Sequence, residues 1–222
     1  MNVIGPYEAF VSWGVFWTTY WVFGGILTYF FKEKRKITNL GKVISNLLVN
    51  MVWSLFGSLI LSQLPLRMLT NSYLVTKFLV VYLIADIWFY HMHIMLHQGQ
   101  LYHLHKRHHE FSEPFALTGL YSDIYECIFL NTLAGGLGPV IVQLPPPYIY
   151  IWLAIISWNV LIAHSGSSMI HDYHHSKFKY NYGISFIFDK LYGTWYIEPE
   201  KRDINLGNFK IDMASLADLH IR

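Results

Sequence analysis

Long stretches of this chain carry almost no charge, and no other feature of the sequence constrains the fold as strongly. Residues 10–31 are 22 consecutive uncharged positions rich in Trp, Phe, Val and Tyr. Coiled at about 1.5 Å per residue, such a stretch crosses a hydrocarbon layer roughly 30 Å thick. It is too long, and lacks the basic leading segment, for a cleaved signal peptide. Residues 43–66 are a second uncharged run, and a third apolar stretch from Leu74 to about Leu96 is interrupted by Lys77 and Asp86. Residues 127–162 are uncharged as well, but Gly135-Gly136-Leu137-Gly138-Pro139 and Pro145-Pro146-Pro147 cut them. Those breakers fit either a hairpin of two shorter arms or one span plus a re-entrant piece. The pattern predicts an all-α polytopic membrane protein with about four transmembrane helices.

Composition agrees. Of 222 residues, 54% are apolar and only 14% charged, whereas a soluble domain is nearer half apolar and about a quarter charged. A disordered chain is excluded, and an ordinary water-soluble enzyme is disfavoured. A net charge of +2 does not provide the clustered basic surface that nucleic acid requires, so no nucleic-acid partner is expected. The single cysteine, Cys127, rules out an intrachain disulfide framework and any Cys-rich zinc or iron–sulfur site.

Lys32, Lys34, Arg35, Lys36 and Lys42 lie between the first two spans, while the next loop offers only Arg67. By the positive-inside rule the first loop is cytosolic. The third span then returns to the cytosol near residues 93–97, and Lys106, Arg107, Lys177 and Lys179 lie on that side. With no repeat or linker, residues 1–222 read as one domain. It comprises an N-terminal transmembrane hairpin (1–73), a histidine-bearing region (74–195) and a polar cytosolic tail (196–222).

Eleven of the twelve histidines fall between His91 and His175. Three clusters stand out: His93 with His97; His105 with His108 and His109; His171 with His174 and His175. On a helix, positions i, i+3 and i+4 share one face, so each cluster aims two or three imidazoles at one point. Imidazole suits iron, zinc, copper and nickel. Eight such groups are too many for one ion and right for two, forming a histidine-rich helical cap over a two-metal centre. His91, His103 and His220 fall outside the spacing and read as ordinary polar residues. His164, seven residues before His171, reads equally as a ninth ligand or as a helix-end histidine bonded to backbone. Asp86 shares a helical face with His93 and His97, where it would accept a ligand's far N–H and fix its tautomer; the bland alternative is a solvated polar residue. Asp123 and Glu126 are candidate ligands or outer acceptors, and equally plain interfacial charges. The Glu-x-x-His pattern of soluble di-iron bundles does not occur here, so the expected metal chemistry is nitrogen-rich.

These boxes, in this order, resemble the fatty acid hydroxylase / sterol desaturase superfamily of membrane di-iron enzymes, over roughly residues 74–195. Asp86-Ile87-Trp88-Phe89-Tyr90 precedes His93 as in that family. The string His105-Lys106-Arg107-His108-His109-Glu110-Phe111 followed by Pro114-Phe115 looks like the second box of the C-4 methylsterol oxidases. His164-Ser165-Gly166, Asn181-Tyr182-Gly183 and Asp189-Lys190-Leu191-Tyr192-Gly193-Thr194 match the region of the third box and the closing motif. There are departures. Ile94 replaces an arginine, Asp123 stands where a histidine is common (a histidine that the cholesterol 25-hydroxylase branch also lacks), and the segment between His164 and His171 is short.

The resemblance implies two Fe ions, together with O2 and electrons from NAD(P)H through cytochrome b5 or a similar carrier; imidazole binds zinc more tightly than Fe²⁺, so zinc is the competing occupant on purification. It implies a sterol or acyl-lipid substrate drawn from the bilayer, no conventional nucleophile or general base beyond the metal centre, and an endoplasmic-reticulum membrane. The expected reaction is oxygen-dependent hydroxylation of a lipid, a sterol methyl group first, with other lipid hydroxylation or desaturation as the alternative. From a different class, a haem- or metal-binding membrane protein without catalysis is the competing reading.

Overall fold

The computed structural model describes residues 4–65, 73–167, 169–197, 204–206 and 209–211; Arg67 and His220 lie outside them. Five helices are long and apolar enough to cross a membrane: α1 (Pro6–Phe30), α2 (Leu40–Gln63), α3 (Leu74–Leu96), α4 (Ile124–Val142) and α5 (Pro146–His164). The all-helical membrane architecture is as expected, and the helices long enough to span number five among the described residues because residues 127–162 form a hairpin of two full arms. Local chemistry explains the turn. Gln143 adopts a left-handed conformation that closes α4, and extended Pro145 leads into Pro146 at the first position of α5, where its missing N–H costs nothing. Within α4, Cys127–Thr132 is wound as a π-helix.

Between α3 and α5 the helices leave room for a cap. Residues 97–123 fold into short helical turns, Gly99–Leu101, Tyr102–His105, His108–Glu110 and Ala116–Leu120. After α5 come α6 (Met169–Lys177) and α7 (Ile187–Tyr192). The expected polar tail holds a small antiparallel hairpin, β1 (Ile204–Leu206) with β2 (Phe209–Ile211).

In lipid, helices associate through close packing rather than hydrophobic burial, so small residues mark their contacts. α1 packs on α5 and α2, and α3 packs on α4. A Cβ at Gly138 of α4 would sit 3.0 Å from both Cα and the carbonyl oxygen of Val81 on α3. A Cβ at Gly24 of α1 would come within 2.6 Å of Leu117. The turn Ala116–Leu120 plugs the top of the bundle, and the spans supply its polar partners. The Tyr20 hydroxyl donates to Leu117 O and accepts from Leu120 N, both at 3.0 Å. Asn50 donates to Leu120 O at 3.1 Å, and Asn46 to Ser122 O at 2.9 Å. The uncharged amides of α2 thus hold the segment that follows the second histidine box.

Candidate metal centre

The cap brings nine histidines together in two groups. His93, His97, His105, His109 and His174 form one; His108, His164, His171 and His175 form the other. In each group one ring nitrogen per residue lies within 4.8 Å of the rest. The three boxes are therefore interleaved: the second and third each send side chains to both groups. α3 ends between His93 and His97, α5 ends on His164, and α6 carries the third box across them.

Distances inside the groups fit a metal polyhedron. Nε2 of His93 is 3.1 Å from Nε2 of His105, and Nε2 of His109 is 3.1 Å from those of His97 and His105. Nε2 of His97 and His174 are 3.2 Å apart. In the second group, His164 Nε2 lies 3.1 Å from that of His171 and 3.3 Å from that of His108. With metal–nitrogen bonds of about 2.0–2.1 Å, neighbouring ligands at right-angled to tetrahedral spacing stand roughly 2.8–3.4 Å apart.

Proton placement points the same way. A carbonyl can only accept, so the Nδ1–H groups of His93, His174 and His164 donate to the carbonyls of Tyr182, Tyr180 and Val160, each at 2.8 Å. In the neutral rings this leaves Nε2 as a bare lone pair turned inward, as in metal-bound imidazole whose far N–H is held by a carbonyl. His175 has both ring nitrogens buried without a hydrogen-bond partner among the described residues. Lone pairs converging in a dry site repel one another unless a cation lies between them. The donor set therefore fits two borderline metal ions, iron among them.

Burial keeps the rings neutral and competent to ligate. It pushes His97 down to about 4 and His109 to about 3, and lowers His105, His108, His171, His174 and His175 well below 6.5, with neighbouring imidazoles adding to burial for those five. The Tyr182 ring lies edge-on to His93, His97 and His174, while Phe178 covers His109 at 4.7 Å.

The acidic candidates separate. Glu126 lies beside the rings: Oε2 is 2.9 Å from His105 Nδ1 and Oε1 is 3.9 Å from His108 Nδ1. Asp86, expected to face a ligand ring, instead accepts from the backbone N–H groups of Ile184 and Ser185, at 3.1 and 3.0 Å, and from the Ser185 hydroxyl. Asp123 caps α4 by accepting from Tyr125 N at 3.0 Å. His91 and His103 bond their own local carbonyls, outside both groups.

Spacing alone did not reveal the frame behind the carbonyls. Asp189 accepts from Tyr182 N at 2.8 Å, Gly183 N at 2.7 Å and the Thr194 hydroxyl at 2.7 Å. Asn181, in a left-handed conformation, donates to Ile170 O and Tyr196 O, both at 2.9 Å. These side chains fix the loop whose carbonyls orient His93 and His174. The only signal for them was the match of Asn181-Tyr182-Gly183 and the closing motif to the superfamily.

The fatty acid hydroxylase family profile matches residues 78–194, more than half of the chain and a stretch containing all nine histidines, Asp86, Glu126 and Asp189. The chain belongs to the fatty acid hydroxylase family. Among its relatives, a putative methylsterol monooxygenase of Dictyostelium discoideum is 30% identical over 154 residues, 60% of this chain and 57% of that protein. Sphinganine C4-monooxygenase 1 of Arabidopsis thaliana is 30% identical over 125 residues, 55% and 48% of the two chains. A very-long-chain aldehyde decarbonylase of Oryza sativa is 32% identical over 153 residues, 60% and 56%. The matched part thus spans about half of the length of these relatives, and about a third of others. No solved structure matches the chain.

In this fatty acid hydroxylase chain, a mostly apolar cavity adjoins the second histidine group. Phe16, Phe89, Leu120, Ile156 and Phe186 line it, and His164 and His171 form one end. Phe16 of α1, Phe89 of α3, Ala134 of α4 and Ile156 of α5 place it among these four helices.

Proposed function

We propose that this chain is a membrane-embedded, O2-dependent lipid oxidoreductase that hydroxylates an unactivated C–H bond at a two-iron centre. Its ligands are His93, His97, His105, His109 and His174 at one ion and His108, His164, His171 and His175 at the other. The observation that carries this reading is the convergence of inward-facing Nε2 atoms in two adjoining groups at the end of an apolar cavity. When bound, the irons, with O2 and electrons relayed from NAD(P)H by a cytochrome b5-type carrier, supply oxidising power that no side chain possesses.

The chain's own residues do the rest. The carbonyls of Tyr182, Tyr180 and Val160 hold protons on Nδ1 and so keep Nε2 free to ligate. Tyr182 and Phe178 exclude water from the first group. The cavity walls orient an apolar substrate against His164 and His171, which supplies proximity without any charged residue. A sterol is the substrate we favour, supported by the methylsterol monooxygenase relative and by the His105–Phe111 string; fatty acyl or sphingoid lipids are the alternative, supported by the other relatives. The basic segment after α1 supports a cytosolic cap, and the superfamily resemblance supports the endoplasmic reticulum. Against a haem site, the paired rings stand closer than two axial ligands on opposite faces of one iron, about 4 Å apart at such bond lengths.

The test is metal analysis of anaerobically purified protein, followed by incubation in membranes with O2, a reductant and a 4-methylsterol, a fatty acid or sphinganine. Two irons per chain and an oxygenated product are expected. Purified protein with no stoichiometric iron and no product from any of these lipids would overturn the reading.

A further inference from the structure

The membrane-spanning helices treat their asparagines in two ways. Asn46 and Asn50 on α2 are committed to backbone carbonyls of the 120–122 segment. The side chains of half-buried Asn131 on α4 and exposed Asn159 on α5 make no hydrogen bond to any described residue, yet both line the cavity that includes His164 and His171. A carboxamide in an apolar setting without a partner costs free energy, and polar groups inside a membrane tend to mark function.

Asn131 also occupies a singular position. It lies within the π-helical turn Cys127–Thr132, a distortion that resets which side chains face inward and recurs at functional sites. It is shared by two cavities. The second lies between α1, α2, α4 and α5, is lined by Ser12, Ser54 and Leu61 among others, and meets the first at Phe16, Leu120 and Asn131. Because the two spaces share these three residues, a long apolar lipid bent past Asn131 would enter both.

We propose that Asn131 is a specificity-determining residue: its carboxamide hydrogen-bonds a hydroxyl or amide group of the lipid at the junction of the cavities. That bond sets which carbon lies beside His164 and His171, and the remainder of the lipid extends into the second cavity. Asn159 offers a further amide on the lipid-facing side of the same pocket. The inference rests on the lipid-oxidising reading above, but its test needs neither iron nor turnover.

Metal-free protein in nanodiscs is offered two pairs of probes that differ only by a hydroxyl: cholesterol against cholestane, and 1-octadecanol against octadecane. Retention is read by mass spectrometry of the washed complex. The hydroxylated member of at least one pair should be held about fivefold more tightly, the ratio that one hydrogen bond of roughly 1 kcal/mol produces. The near-isosteric Asn131→Leu should bring that ratio to about one while leaving the thermal unfolding midpoint unlowered, because no protein group loses a partner. Asn131→Ser, which keeps a hydroxyl, should preserve part of the preference and guards against a folding defect in the leucine variant. No hydroxyl preference in either pair, or a preference that survives Asn131→Leu, overturns the assignment. Either result leaves the iron and product tests of the oxygenase standing. The pair that shows the preference distinguishes a fused-ring lipid from a linear one.

Discussion

Oε2 of Glu126 stands 2.9 Å from Nδ1 of His105, and both side chains are at most 2% exposed. The other carboxylate oxygen faces Nδ1 of His108 at 3.9 Å, and these two histidines belong to different groups. One acid therefore addresses a ring from each half of the centre. Outer partners of this kind typically account for 10–100-fold in metal affinity. Glu126→Gln keeps the size and removes the charge, so it should weaken iron retention against a chelator by at least tenfold. An unchanged chelator titration would show that the carboxylate does not tune the centre.

The partition of ligands makes a sharper expectation. His108→Ala removes a ligand from the four-histidine group, and His174→Ala one from the five-histidine group. Each should lower iron from two to about one per chain and abolish lipid oxidation. If either variant retains two irons, the ligand assignment fails at that residue.

Acid should release the same constraint. Unfolded imidazoles take up protons near 6.5, whereas burial holds His97 at about 4 and His109 at about 3. Below pH 6.5 the unfolded chain thus binds more protons than the folded one, and stability falls as pH falls. Metal-free protein should have a flat denaturation midpoint above about pH 7 and a declining one between pH 6.5 and 4. A midpoint that rises on acidification over this window would contradict neutral, buried rings.

Much of this was legible in the sequence because periodicity reports faces. Spacings of three and four residues singled out eight histidines, and the separation of His164 from His171 by two helical turns suggested the ninth. How the boxes interleave was not legible, since His108 and His109 are neighbours in sequence yet serve different groups. Asp86 illustrates the limit of a face argument. It lies on the His93 side of α3, but a loop 98 residues later brings the N–H groups of Ile184 and Ser185 to it first. The hairpin count failed to resolve for a related reason: Gly and Pro mark a break without saying whether the chain turns at mid-membrane or at its far side.

Of the ion pairs that tie the cap to the spans, the more buried one bears on metal loading. Arg35, in the basic segment after α1, pairs with Asp172 of α6, and each side chain is only 11% exposed. Burial raises the Asp172 carboxyl and the Arg35 charge opposes that rise, so removal of the arginine would leave a carboxylate facing low dielectric. Breaking such a pair from one side costs about 3 kcal/mol or more, while replacing both partners by apolar groups is often neutral. Arg35→Met should therefore destabilise the protein to chemical denaturation and loosen α6, lowering iron occupancy of the group containing His171 and His175. Asp172→Leu added to it should recover most of both losses. Gly166 provides an independent check, since it is left-handed (φ +83°) and a Cβ there would press on the Arg35 guanidinium; Gly166→Ala should reproduce the loss without touching a charge. If Arg35→Met keeps full iron and stability, the basic segment orients the protein in the membrane but does not hold the cap.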